Sequence, residues 1–228
     1  MMGEIGGLIY GVTIWALPLI FAVTLHEAAH GYAAHMMGDD TAKRMGRISL
    51  NPLRHVDPFG TVILPGLLLA FGGVMFGWAK PVPVNFNNLR PQRLGMIVVA
   101  AAGPGMNVAL AVISVLVAIY GLPLMPREIQ GWMLLNLDNA IYFNLLLAVF
   151  NMIPIPPLDG GRVLVGILPR HLAWRVARLE KAGILILLAA LFILPILGQK
   201  LHMQLDIFQW LVSGPVEYLG RRMVEILQ

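Results

Sequence analysis

The sequence predicts an all-α polytopic membrane protein. It has about five to six transmembrane helices, one re-entrant segment and short β-like strands near a cluster of ionisable residues. Three observations carry that prediction. Of the 228 residues, 58% are hydrophobic and 12% charged, against roughly 25% charged in ordinary soluble domains. Mean hydropathy is +0.76. The apolar residues fall in runs long enough to cross the roughly 30 Å hydrocarbon core, and His26, Glu27 and His30 lie inside one of them.

The chain reads as a single membrane-embedded domain over 1–228. The first helix is expected over 5–37. A straight helix of that length exceeds the bilayer core, so it must tilt, kink at Pro18 or extend into the headgroups. Gly38, Asp39 and Asp40 end it. Lys43–Leu50 and Pro81–Asn85 read as short extended segments. Asn51-Pro52 and Asp57-Pro58 are turn signals. Thr61–Ala79 is apolar but punctuated by Pro65, Gly66, Gly72, Gly73 and Gly77. Spans are expected over 92–120, 131–155 and 179–198, with 201–228 a further span or an interfacial helix. The N-terminal MMGEIGG carries an acid and no base, so it lacks the basic region of a cleavable signal peptide, and the first run is expected to be retained.

The net charge of +4 is small, and no nucleic-acid partner is expected. The absence of cysteine excludes thiolate metal ligands, a cysteine nucleophile and disulfides.

His26-Glu27-Ala28-Ala29-His30 matches HExxH. On a helix, residues at i and i+4 share one face, so the two imidazoles can hold a zinc ion while Glu27 accepts a proton from water. Three ionisable groups in five positions at membrane depth cost several kcal/mol unless something offsets them. A bound metal does so. Zinc with one open position needs a third protein ligand. Asp159 is the candidate, although Asp in PPLDGG is equally a turn residue by spacing alone.

For Asp159 to share an ion with the histidines, the end of 5–37 and the end of 131–155 must lie on one side of the bilayer. If every apolar run crosses once, they do not. If Thr61–Ala79 dips in and returns, they do. That arrangement puts Lys43, Arg44, Arg47, Arg54, Lys80, Arg90, Arg93, Arg162, Arg170, Arg175, Arg178 and Lys181 on one side, and Arg127 and Lys200 on the other. The positive-inside rule then assigns the first side to the cytoplasm.

HEAAH in a first-half membrane helix, NPLRHVDPFGT, GWAKPVPVN, AGPGMN and NMIPIPPLDGGR together resemble the site-2 protease family of intramembrane zinc metalloproteases. The likeness is to its compact prokaryotic branch without a PDZ or CBS domain, and it covers roughly Thr24 to Arg162. It implies one zinc ion per chain held by His26, His30 and Asp159, with Glu27 as general acid/base. Asn151 falls where that family places an asparagine eight residues before the Asp. It can cap or cross-link helices, or donate to the oxyanion of the scissile carbonyl. The resemblance further implies a membrane-protein or signal-peptide substrate and a prokaryotic plasma membrane, while composition makes the chain multi-pass and the loop charges turn the active site toward the cytoplasmic side.

A metal transporter or sensor would also hold His and Asp in a bundle, but has no use for Glu27 or GWAKPVPVN. A non-catalytic scaffold is the remaining alternative, yet every zinc-binding group is present. The other polar candidates are weaker. His55 and Asp57 are either a pair orienting a ligand or turn residues. Asn107 is read as interhelical glue, His35 as interfacial, and His202 with Asp206 as a solvated face.

Overall fold

The computed structural model describes residues 2–63, 80–200 and 206–227. The described residues are helical, with no strand among them. Helix α1 covers Met2–Met36 and runs through Pro18. The four-residue α2 covers Thr41–Arg44. A 3-10 turn at Pro52–Arg54 and a π-helical turn at Pro58–Ile63 follow. Helix α3, Gln92–Leu116, continues through a π turn, Val117–Gly121, and a 3-10 turn, Leu122–Leu124. Helix α4 is Arg127–Asn151, α5 is Asp159–Ile167 and α6 is Arg170–Ala177. Helices α7, Glu180–Leu188, and α8, Leu194–Lys200, are joined by the π turn Ala189–Ile193. A π turn at Gln209–Ser213 leads into α9, Gly214–Leu227.

Among the described residues, three helical stretches are long and apolar enough to cross a membrane: Ile9–Met36, Gln92–Leu124 and Arg127–Asn151. They are α1, α3 and α4, and they pack on one another pairwise. Polar side chains tie the pairs where lipid offers no partners. Trp132 Nε1 donates to Thr13 Oγ1 at 3.1 Å, and Asn139 Nδ2 donates to the Ile14 carbonyl at 2.7 Å, locking α4 to α1. One core cluster gathers Ala33, Ala34, Leu89 and Val99 where α1 meets the start of α3. A second gathers Ala111, Leu145, Ile153, Val212 and Val216, where α9 packs along α3 and α4.

Most of the Thr61–Ala79 segment lies outside the described residues. Its flanks are fixed, however. The Arg90 amide donates to the Met37 carbonyl at 2.8 Å, and Asn88 Nδ2 donates to Asp39 Oδ1 at 2.9 Å. The chain therefore leaves α1 and enters α3 at the same end of the bundle.

Two expectations are corrected here. Lys43–Leu50 is not extended. Its start belongs to α2, and Gly46 turns the chain at φ +62°, a left-handed conformation that glycine adopts without a Cβ penalty. The fourth helix ends at Asn151 rather than 155, because Pro154, Pro156 and Pro157 disfavour helical backbone at and before themselves. Pro81–Asn85 is free of helix but forms no ladder. Pro81 and Pro83 have no N–H, the Val82 amide goes to Glu27 at 2.7 Å, and the Asn85 amide goes to Asp39 at 2.7 Å.

Asp39 is fully buried and is the knot of this end. Its Oδ1 accepts from the Thr41 amide at 3.1 Å, Thr41 Oγ1 at 2.5 Å and Asn88 Nδ2, while Oδ2 accepts from the Asn85 amide. Burial alone would raise its carboxyl, but those donors hold it below the usual Asp range. A carboxyl with a depressed folded pKa stabilises above its unfolded value of about 3.9, and that contribution is lost as pH falls through the folded value. Asp39→Ala is expected to cost about 3 kcal/mol, read as a lowered unfolding midpoint in nanodiscs. The gap from wild type should be level from pH 5 to 7 and shrink below about pH 4.

Candidate metal centre

Helical spacing puts His26 and His30 on one face of α1, and that face points at α3 and at the start of α5. His30 Nε2 lies 3.0 Å from His26 Nε2, and each lies 3.3 Å from Asp159 Oδ2. All three side chains are nearly buried. Among the described residues, this trio is the group of ligand-type side chains close enough to hold one metal ion.

The hydrogen positions follow from the outer partners. His30 Nδ1 lies 2.7 Å from the Val99 carbonyl oxygen, which can only accept, so this nitrogen carries the hydrogen. His26 Nδ1 lies 2.5 Å from Asn107 Oδ1. The Asn107 amide nitrogen donates to the Ala22 carbonyl at 3.1 Å and to Asn144 Oδ1 at 2.8 Å, so its oxygen end faces the imidazole. Asn144 donates in turn to the Ala140 carbonyl at 2.8 Å. Both neutral rings therefore turn bare Nε2 lone pairs toward each other and toward a carboxylate oxygen. Three acceptors converging in a nearly buried space repel one another unless a cation lies among them.

The spacing suits zinc. Tetrahedral ligands about 2.0–2.1 Å from an ion lie roughly 3.3 Å apart. Gly103 supplies a second test. A Cβ built there would press on His30 Nε2 and come within 2.6 Å of His26 Cε1 and Nε2. The α3 backbone thus leaves open a cradle that a methyl group would fill.

Asp159 is not a turn residue. It opens α5, where the helix dipole favours a carboxylate. Burial opposes its charge, and a cation shared with His26 and His30 would offset that cost. Helix α5 is seated by Arg93 of α3, whose guanidinium caps the Gly166 carbonyl at 2.9 Å and also meets that of Leu168. Gly160 and Gly161 do not border the metal cluster. Cβ atoms there would strike the Met152–Pro156 backbone, so these glycines let α5 pack against the turn that delivers Asp159.

Glu27 is half-buried beside the histidines. Its Oε2 accepts from the Val82 amide at 2.7 Å. Asn151 Nδ2 donates to the Leu147 carbonyl of its own helix at 3.0 Å. His55 Nε2 meets the Ser49 carbonyl at 2.9 Å, and Asp57 Oδ1 accepts from the Phe59 and Gly60 amides at 3.1 and 2.7 Å. Both stabilise turns. His35 pairs with Asp40 at 2.6 Å. His202 lies outside the described residues, and Asp206 caps the following turn through the Gln209 amide at 3.0 Å.

Comparison with known proteins agrees with this chemistry. The model of peptidase family M50 matches residues 130–194, a stretch that includes Asp159. Three similar proteins carry the description "Putative zinc metalloprotease". YwhC of Bacillus subtilis is 39% identical over 188 residues, 79% of this chain and 80% of that protein. Rip2 of Mycobacterium tuberculosis is 31% identical over 180 residues, 78% of this chain and 66% of that protein. MJ0611 of Methanocaldococcus jannaschii is 32% identical over 148 residues, 64% and 71% of the two chains. The chain belongs to peptidase family M50, the site-2 protease family. It is thus a metalloprotease of a multi-pass membrane family. No solved structure matches it.

In this M50 peptidase, the asparagine-rich helix α4 carries a residue that pattern reading passed over. Asn144 steadies Asn107, which steadies His26. Gly103 stood out only as part of AGPGMN, and the Val99 carbonyl was silent as a letter. The available signal was a polar side chain inside an apolar span, where each one needs a reason.

Two variants separate the cradle from the helix around it. Gly103→Ala should lower zinc content at least tenfold by elemental analysis. Gly105→Ala, with open space at its Cβ, should leave it within twofold. Asn107→Leu removes the His26 orienter and should weaken zinc affinity about 10–100-fold in a chelator competition titration.

Proposed function

We propose that this protein is an intramembrane zinc metalloprotease that hydrolyses peptide bonds in or near membrane-spanning segments of other proteins. One zinc ion per chain would be held by His26, His30 and Asp159. The observation that carries the reading is the convergence of two bare Nε2 atoms and one carboxylate oxygen at 3.0–3.3 Å, with Glu27 next in sequence to the first ligand. The family membership and the described relatives support the same chemistry.

Zinc bound there supplies Lewis acidity toward water and toward the scissile carbonyl. The protein's own groups do the rest. Val99 and Asn107 fix the ring tautomers, so the ligand nitrogens need no reorganisation. Glu27 takes the proton from the attacking water and passes it to the leaving amine. The Val82 amide holds one Glu27 oxygen, which orients the carboxylate and leaves Oε1 for the proton. An Asn151 amide has two hydrogens, and the Leu147 bond uses one. The second can donate to the developing oxyanion after a rotamer change.

A peptide bond inside an intact helix is hydrogen-bonded and shielded, so the substrate segment unwinds before it reaches the ligands. The site lies near the end of α1 where the chain enters α3. The basic residues of the sequence concentrate at that end, from Lys43 to Arg93 and from Arg162 to Lys181, which supports a cytoplasmic orientation in a prokaryotic plasma membrane. On this reading residues 61–79 are re-entrant. Helices α7 and α8, with the turn between them, add a fourth crossing, and the helix ending in α9 adds a fifth.

Glu27→Gln should retain zinc and lose at least a thousandfold in cleavage rate, measured in proteoliposomes with a membrane-helix substrate. Retained cleavage would remove Glu27 from the mechanism. The chain lacks cysteine, so single cysteines at Gly38 and Asn87 can be probed with a membrane-impermeant maleimide. Both should label from the cytoplasmic side, and labelling from opposite sides would reject the re-entrant segment.

A further inference from the structure

Asp138 sits at the middle of α4, one of the three stretches able to cross a membrane, and its side chain is exposed. The other mid-span polar groups of α4 are satisfied. Asn136 donates to the Trp132 carbonyl, Asn139 to Ile14, and Asn144 to Ala140. Among the described residues nothing hydrogen-bonds or ion-pairs with Asp138. An ionisable group at the bilayer centre costs several kcal/mol and is normally paired. The metal centre makes no use of this one.

The surroundings of Asp138 have the pattern of a helix-packing seam. Gly131, Asp138 and Leu145 recur at heptad spacing, with Leu134 and Ile141 at the intervening seam positions. The deep end is already covered: Leu145 is buried, and Gly220 of α9 packs against it. The outer end is bare. Leu134 is 42% exposed, and a Cβ at Gly131 would meet nothing, so another helix can approach closely there.

We propose that the outer half of this α4 seam docks a transmembrane helix of another membrane protein, one that carries a lysine or arginine at mid-span to pair with Asp138. Charge complementarity selects this occupant over lipid. It also selects against a second copy: self-pairing about a twofold axis along the membrane normal would bring two Asp138 carboxylates face to face at one depth. Arg222 of α9 is already engaged with Glu225 at 2.7 Å. The inference needs only that α4 crosses the membrane, and is independent of what the metal centre does.

The test uses the full zinc-loaded chain in liposomes with Leu134→Cys, the cysteine-free background making this the single thiol. The probe is a synthetic leucine-alanine membrane helix with one central lysine and one cysteine a turn away. It should form the disulfide cross-link at least tenfold faster than the same helix with leucine in place of lysine. Asp138→Leu should bring the lysine helix down to the leucine-helix rate, and Asp138→Glu should restore it. Zinc content reports that each variant is folded. If Asp138→Leu fails to hold zinc, the comparison of the two helices on the intact-Asp138 chain decides. Equal rates for the two helices overturn the proposal, as does preferential cross-linking of the Leu134→Cys chain to itself. Loss of proteolysis with cross-linking intact would count against the metal-centre reading alone.

Discussion

Two imidazole lone pairs and a carboxylate oxygen face one another at 3.0–3.3 Å, and the rest of the architecture makes that encounter tolerable. A closed set of acceptors is not a stable way to fill a nearly buried space. It becomes stable when a cation is shared, and binding energy for the metal is then also folding energy for the elements that deliver the ligands. Helices α1, α3 and α5 each contribute something the others lack. Helix α1 gives both nitrogens by its own periodicity. Helix α3 gives the carbonyl and amide that set the tautomers, and the glycine that leaves room. Helix α5 gives the carboxylate at its positive end.

The membrane sharpens this division. In water, a misplaced Asn107 or Asn144 would find solvent. Inside the bundle it must find protein, so the chain Ala140–Asn144–Asn107–His26 is closed at every link. The same economy explains why the fourth helix is rich in asparagine yet mostly self-satisfied, and why Asp138 stands out from its neighbours. The glycines follow the same logic of proximity. Gly103 makes space for chemistry, whereas Gly160 and Gly161 make space for backbone.

The helices were legible because long apolar runs leave few alternatives, and HExxH was legible because helical periodicity alone brings its two nitrogens together. The meeting of Asp159 with the two histidines was legible through topology, because the ends of their two helical segments had to share one side of the bundle. What could not be read were contacts between distant elements. Nothing in the spacing of letters says that the Val99 carbonyl meets His30, that Gly103 borders both rings, or that Asn144 backs Asn107 behind His26. The extended reading of Lys43–Leu50 failed because local turn formation around Gly46 outweighed a weak strand pattern. The end of α4 was placed too late because apolar character continued past the residues where the prolines had already stopped the helix.

The tether between Glu27 and Val82 has a consequence of its own. In Pro81-Val82-Pro83 only the central residue has an amide hydrogen to give. A slip of one residue in either direction would set an imino nitrogen, which has no hydrogen to donate, opposite Glu27. Within those three residues the Glu27 carboxylate therefore has a single donor, and the flanking imino acids leave it no adjacent amide to shift to.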